Sequence, residues 1–362
     1  MTTILGIETS CDETSAAVVV DGQFIRSNIV SSQVDIHAKY GGIFPEIASR
    51  AHIERIYPVV EEAIAEANVT LRDVDAIAVT RGPGLPGSLV VGVNMAKGLA
   101  LASKLPLLAI NHLEGHVYSL WLAGPKFRFV PGEPPAGPDS PVVPIEFPVV
   151  ALVVSGGHTE LLLMTGHHTY QRLGSTLDDA AGEAFDKVGR LLGLPYPGGP
   201  SIQKASAGGN AAAFPFPRVT LRADSGEQNY DFSFSGLKTA VLRTLQANYP
   251  GYKPDSELPP GLPVADLAAS FQAAVVDVLV DKTVRAAAEH GAKEIFIAGG
   301  VSANAALRAT MIERAGIPVR VPPLSLCTDN AAMIAEAGYF RFTAGQLDSL
   351  DFDITTHWPL AG

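Results

Sequence analysis

The chain has 362 residues, 47% of them hydrophobic and 17% charged, which is material for more than one compact core. Its formal charge of −11 excludes a generic basic nucleic-acid binder, because neutralising phosphates takes clustered Lys and Arg. Two cysteines, Cys11 and Cys327, make neither a CxxC pair nor a disulfide framework, so a reducing, cytoplasmic setting is expected.

The N-terminus has no basic region before its apolar residues and runs into Glu8, unlike a signal peptide. Apolar runs at Ile4 to Thr9, Ser15 to Val20 and Phe24 to Val30 predict a β-meander, with Asp21-Gly22 as a hairpin signal. From Pro45 to Asn68 apolar residues recur at helical spacing, and Pro58 predicts a kink or break. A strand at Asp75 to Thr80, a helix at Ser88 to Leu105, a strand at Leu107 to Ile110 and a helix at His112 to Leu122 follow. Asn94 and Lys97 inside the most apolar helix mark it as a core helix rather than a membrane span.

Eight prolines in the 25 residues from Gly124 to Pro148, with no hydrophobic period, predict a loop or linker. A second meander follows at Val149 to Ser155, His158 to Met164 and Tyr170 to Gly174. The pattern continues with a helix over Asp178 to Leu192, a breaker run from Pro195 to Pro200 and a long helix over Val264 to His290. It ends with a strand at Glu294 to Ala298, a helix at Ala303 to Ala315, a strand at Ile317 to Val321 and a helix from Asp329 to Ala344. Each half thus opens with hairpin-joined strands and continues with helices and further strands, a structural repeat without residue identity. The expectation is an α/β protein with the two-lobed actin-like ATPase (ASKHA) fold, each lobe a mixed sheet flanked by helices and the ligand cleft between lobes; an ordinary doubly wound fold is the rival. The lobes are placed at 1–123 and 149–328, with 124–148 as linker or insertion and 329–362 returning to the first lobe.

Three turns can approach phosphate or nucleotide. The first, Glu8 to Thr14, offers hydroxyls and backbone N–H groups, with Asp12 and Glu13 able to hold a cation or orient water; self-capping Ser and Thr would look the same. The second, Val154-Ser155-Gly156-Gly157, lets a ligand close to the backbone, although many hairpins use Gly-Gly. The third, Gly299-Gly300 before Asn304, is a shelf for adenine or ribose, or simply a tight turn into a capped helix. His112 and His116 lie four apart, on one helical face. With Asp329 as third ligand they suit a Zn or Fe(II) Lewis acid with open positions, whereas Asp329 alone reads as an N-cap. Glu114 is out of register for the HExxH peptidase pattern. Asp179, Glu183 and Asp186 predict an acidic helical face next to the stiff 195–200 loop.

The strings GIETSCDETS, HLEGH, VSGGHTEL, DDAAGEAFDKVGRLLGLPYPGGP, FSFSGLKTAV, AGGVSANAALR and CTDNAAMIAEAG, in this order, resemble the bacterial TsaD family, formerly described as O-sialoglycoprotein endopeptidases. The resemblance implies transfer of a threonylcarbamoyl group from threonylcarbamoyl-AMP to N6 of the adenosine beside the anticodon, position 37, in tRNAs reading codons that begin with A. It implies one divalent metal, Fe(II) or Zn, on His112, His116 and Asp329. It places Val153, Val154, Ser155, Gly156, Gly157, Asp186, Gly199 and Asn304 at the nucleotide and donor site, and makes Asp12 and Glu13 candidates for direct chemical roles. Implied partners are tRNA, a TsaB-like paralogue, a TsaE-like ATPase and a TsaC/Sua-type synthase that supplies the donor, with no membrane. Relative to the family, 124–148 and the stretch from Arg222 to Asn229 look extended. A metal-dependent glycoprotein endopeptidase, an actin-fold small-molecule kinase and a noncatalytic scaffold are the competing readings. Charge is uneven: Glu54 to Asp75 holds six acids and two bases, Asp186 to Arg243 seven bases and four acids, so a local basic face for tRNA is expected there.

Overall fold

The computed structural model describes all residues except 135, 136, 138–142, 222–228, 255, 256 and 362. The chain divides into two compact units, Met1–Gly124 with Pro322–Gly362, and Pro125–Val321.

Unit 1 opens with β1 (Thr3–Glu8), β2 (Glu13–Val20) and β3 (Phe24–Ser32), followed by the short α1 (Val34–His37) and the long α2 (Pro45–Glu66). β4 (Ala76–Gly82), α3 (Pro86–Ser103), β5 (Leu107–Asn111) and α4 (His112–Tyr118) complete its first part. The strands form one sheet in the order β3-β2-β1-β4-β5, antiparallel through the meander and parallel from β1 to β4 to β5. β1 is central and buried along its whole length. Its alternate residues Leu5 and Ile7 join a core with Ile56, Val59 and Val60 of α2 and Val93 and Ala96 of α3.

Pro58 does not break α2. The helix runs through it, because Pro58 lies on the exposed side, where water can reach the carbonyl that loses its partner.

Unit 2 consists of β6 (Arg128–Phe129), β7 (Val149–Val154), β8 (Thr159–Gly166), β9 (Thr169–Ser175), α5 (Ala181–Leu191), α6 (Gly198–Ala205), α7 (Ser235–Asn248), α8 (Val264–Glu289), β10 (Glu294–Ala298), α9 (Ala305–Arg314) and β11 (Val319–Arg320). Its sheet runs β6-β11-β10-β7-β8-β9. Apart from the edge strand β6 this repeats the order and directions of unit 1, with β7 in the place of β1.

Two expectations are corrected here. The proline-rich segment, read as loop, supplies β6, and Arg320 donates to the Val143 carbonyl at 2.8 Å while pairing with Glu294. The breaker run ends inside a helix, since α6 starts at Gly198, and α7 has no counterpart in the sequence reading. The extended stretch from Arg222 lies, up to residue 228, outside the described residues.

The chain returns to unit 1 in α10 (Ala331–Thr343), which packs on the sheet face opposite α2 and α3. Small residues set this packing: a Cβ on Gly6 would lie 2.3 Å from the Ala331 carbonyl, and one on Gly338 2.5 Å from Ala78 Cβ. The close approach brings the start of α10 onto β1. Among the described residues α10 also buries Glu336 completely, with no hydrogen-bond partner on either carboxylate oxygen. Burial raises its pKa well above the usual carboxylate range. The folded state therefore holds the proton more tightly than the unfolded chain. Stability is fullest below the unfolded pKa and falls as pH rises toward the folded one. Glu336→Met is expected to stabilise the protein by about 1–3 kcal/mol at pH 8 and by clearly less at pH 4. Thermal melts at the two pH values check this, and an equal gain at both would refute the titration as the cause.

Candidate metal and nucleotide sites

In unit 1, β5 ends at Asn111, whose side-chain oxygen caps α4 by accepting the N–H groups of Leu113 (2.9 Å) and Glu114 (3.4 Å). α4 is buried throughout, so both histidines face inward. His112 and His116 approach edge to face, with ring centroids 4.7 Å apart. Asp329 precedes α10 and is not its cap; Asn330 does that, accepting the Met333 N–H, which leaves the Asp329 carboxylate to the histidines. Asp329 Oδ1 lies 3.1 Å from His116 Nε2 and 3.5 Å from His112 Nε2.

One ligand atom from each of the three residues lies within 4.8 Å of the others. His116 is wholly buried, yet neither ring nitrogen has a hydrogen-bond partner among the described residues, despite the nearby carboxylate. Two imidazoles and a carboxylate converging in this way fit a divalent ion of the zinc or Fe(II) type.

The residue that sequence reasoning passed over is Glu8. It ends β1 fully buried, where an apolar strand gives no reason for a carboxylate. Its Oε2 accepts from Thr80 Oγ1 at 2.7 Å and lies 3.0 Å from His112 Nδ1; its Oε1 accepts the Ser10 N–H. Ser10 Oγ also reaches His112 Nδ1, at 3.1 Å. Glu8 thus fixes the ring so that Nε2 points to Asp329, the carboxylate–histidine arrangement that orients metal ligands. Its only signal was its place inside the first quoted motif. Burial opposes a charged His112, but the Asp329 and Glu8 carboxylates outweigh it and raise the pKa to about 9. Asp12 is buried beside Glu13, whose pKa is raised by burial and then by the charges of Asp12 and Asp329.

In unit 2, Val153 and Val154 end β7, and Ser155, Gly156 and Gly157 form the turn into β8. Gly156 and Gly157 are exposed, and a Cβ on either would meet nothing within 4 Å. The turn is supported by other glycines: a Cβ on Gly182 of α5 would lie 2.5 Å from the Ser155 carbonyl, and one on Gly299 2.5 Å from the Val154 carbonyl.

Asp186 accepts the Gly198 N–H at 2.7 Å, next to Gly199, around which a Cβ would again find open space. Asn304 caps α9 by accepting the Leu307 N–H at 3.0 Å and donates to Gln272 at 2.8 Å. The turns after the parallel strands β7 and β10 lie at the same end of the unit 2 sheet, where open α/β sheets bind ligands. The acidic helical face is corrected: α5 begins at Ala181, after Asp179, and Lys187 pairs with both Asp179 (2.7 Å) and Glu183 (2.8 Å). Among the described residues no helix is long and apolar enough to cross a membrane.

Among solved structures, the chain is similar to component A of (R)-2-hydroxyglutaryl-CoA dehydratase from Acidaminococcus fermentans, at TM-score 0.52 and 14% identity, covering 95% of this chain and 99% of that one. It is also similar to HypF of T. kodakarensis, at TM-score 0.56 and 14% identity, over 95% of this chain and 48% of that one. These show fold alone, and with the duplicated sheet order the fold is the actin-like ATPase (ASKHA) fold, each unit a mixed sheet flanked by helices. In sequence, the tRNA N6-adenosine threonylcarbamoyltransferase of Thermomicrobium roseum is 55% identical over 99% of this chain and 96% of its own. The protein of the same name from Bacillus subtilis strain 168 is 50% identical over 97% and 93%. Residues 24–132 and 137–336 match the family model TsaD, tRNA N6-adenosine threonylcarbamoyltransferase, and the chain belongs to that family of transferases.

Proposed function

We propose that this chain transfers a threonylcarbamoyl group from threonylcarbamoyl-AMP directly to N6 of adenosine 37 in tRNAs reading codons that begin with A. The observation that carries the reading is the buried His112 and His116 converging with the half-buried Asp329, with Glu8 behind them.

A divalent ion on these three residues, Fe(II) or zinc, supplies Lewis acidity to the donor's carbonyl or leaving phosphate. The Gly156 and Gly157 N–H groups receive the donor's phosphate, since no side chain on either bars its approach, while the Ser155 N–H donates to the His158 carbonyl. Asp186, held by Gly198, takes the ribose beside Gly199, and the second amide N–H of Asn304 reaches the adenine. The N6–carbonyl bond forms as the carbonyl–phosphate bond breaks, and AMP leaves. In this reading Asp12 accepts the N6 proton, beside a Glu13 whose pKa burial, and then the charges of Asp12 and Asp329, raise. No Ser, Cys or Lys nucleophile is required.

The peptidase reading needs a carboxylate that activates water. Glu114, the acid closest in sequence to both histidines, is 1% exposed and paired with Arg341 at 3.1 Å, which turns it away from that role. The partners belong to the same reading: tRNA, a TsaB-like paralogue, a TsaE-like ATPase and a TsaC/Sua-type synthase, in the cytoplasm. Phe44 and, one turn apart on α2, Ile53 and Tyr57 are more than half exposed, an apolar face suited to the paralogue.

The test is a transfer assay with threonylcarbamoyl-AMP and unmodified tRNA, with and without the partner proteins. Modified nucleoside is expected with the full set and is lost on chelation. No product with the full set refutes the catalytic reading.

A further inference from the structure

After α10 the chain carries no helical or strand period, yet from Asp348 to Trp358 it is bound to the rest of unit 1. The Asp348 N–H donates to the Leu107 carbonyl (2.9 Å), and its carboxylate accepts the Ala109 N–H (2.8 Å). Phe352 and Ile354 pack on the unit 1 core. Arg81, near the end of β4, donates to the Asp353 carbonyl at 2.8 Å and lies 5.5 Å from the Phe352 ring centre and 5.2 Å from that of Trp358. Lys97 of α3 donates to the Phe352 carbonyl. The Thr355 N–H donates to the Arg81 carbonyl at 3.0 Å. A Cβ on Gly82 would fall 1.7 Å from the Thr355 carbonyl, so the two backbones touch with no side chain between them.

Two routes lead from this tail to His112. In the first, the Trp358 carbonyl accepts Asn111 Nδ2 at 2.9 Å, while the oxygen of the same amide caps α4. In the second, the Gly84 N–H reaches the Thr356 carbonyl at 3.4 Å, and a Cβ on Gly84 would sit 2.6 Å from the Ser10 carbonyl. That carbonyl also accepts the Leu85 N–H at 2.8 Å, and Ser10 Oγ meets His112 Nδ1.

We infer that residues 348–358 are a C-terminal strap that positions the metal-holding helix α4, with Arg81 and Trp358 as positioning residues. The inference rests on the metal reading of His112, His116 and Asp329. With the strap anchored, the Asn111 amide is held from both ends and the first turn of α4 keeps its cap. With it released, Asn111 can rotate, the cap weakens and Nε2 of His112 loses its direction. Residues that orient a metal ligand change metal affinity by about 10–100-fold, and the strap, acting through Asn111 and Ser10, belongs at the lower end.

The experiment titrates zinc into the full chain against a chromophoric chelator, for wild type, Trp358→Ala, Trp358→Phe and Arg81→Gln. Cobalt(II) absorption spectra and thermal melts of the metal-free forms accompany it. Trp358→Ala is expected to bind zinc about tenfold more weakly with an altered cobalt spectrum, and Trp358→Phe to restore both. Arg81→Gln is expected to fall in between, and it decides the matter if Trp358→Ala does not fold. Zinc affinities of both variants within about twofold of wild type, with an unchanged cobalt spectrum, overturn the strap while leaving the metal reading intact. A wild type that binds no zinc removes the metal reading and the inference with it.

Discussion

His116→Ala is expected to abolish stoichiometric metal binding and to lower threonylcarbamoyl transfer by at least about a hundredfold. Structural zinc in four-ligand sites is bound with about 10–16 kcal/mol, or roughly 3 kcal/mol per ligand, so removal of one of three protein ligands costs about a hundredfold or more in affinity. His116 is the cleanest test because, among the described residues, its ring nitrogens make no hydrogen bond, and the carboxylate near Nε2 is Asp329 of the same site. The measurement is metal content after dialysis, together with the rise in melting temperature on adding zinc. At a hundredfold excess over Kd, zinc stabilises a wild-type chain by about 2.7 kcal/mol, and the variant should show almost none of this. Glu8→Gln separates orientation from ligation. It keeps the three ligands but weakens the hold on His112 Nδ1, and should cost about 10–100-fold in zinc affinity without abolishing binding. A His116→Ala protein that retains one tightly held zinc would refute the ligand assignment.

The fold was legible in the sequence where period and punctuation agreed. The two meanders announce themselves through apolar alternation and Gly-containing turns, and their repetition led to the actin-like fold before any strand order was known. Pairing partners are less visible, because parallel contacts such as β1 with β4 join segments that the pattern does not connect. α7 was missed because its apolar face is thin, with Leu237, Val241 and Leu245 as its only buried residues. Its start is held from afar, by Asp178 accepting the N–H groups of Phe234 and Ser235.

The histidine pair was readable from its four-residue spacing, but Asp329 required the late helix to return to β1. That depends on small residues such as Gly6 and Gly338, whose role is to be absent. Glu8 was hidden for another reason. A carboxylate at the end of an apolar strand reads as the beginning of a turn until its partners, 72 and 104 residues away, are seen around it.

In unit 2, two glycine substitutions should have opposite signatures. Gly299→Ala is expected to destabilise the protein by about 2–4 kcal/mol, because φ is +87° with ψ 169°, a region reserved for glycine, and the new Cβ would lie 2.5 Å from the Val154 carbonyl. Backbone cannot swing aside as a flexible side chain would, so β7 or the turn that follows it must move. At about 2–4 °C per kcal/mol for a unit of this size, the melting temperature should fall by roughly 5–15 °C. Gly157→Ala meets nothing within 4 Å and should melt within about a degree of wild type. If the turn receives the donor's phosphate, however, the added methyl stands where the ligand must approach, and the KM for threonylcarbamoyl-AMP should rise more than about tenfold. The pair separates support from contact: Gly299 holds the turn in place, and Gly157 leaves its surface open. Melts and donor-dependent kinetics on the two variants decide it. A Gly157→Ala enzyme with unchanged KM and kcat would remove this turn from the donor site.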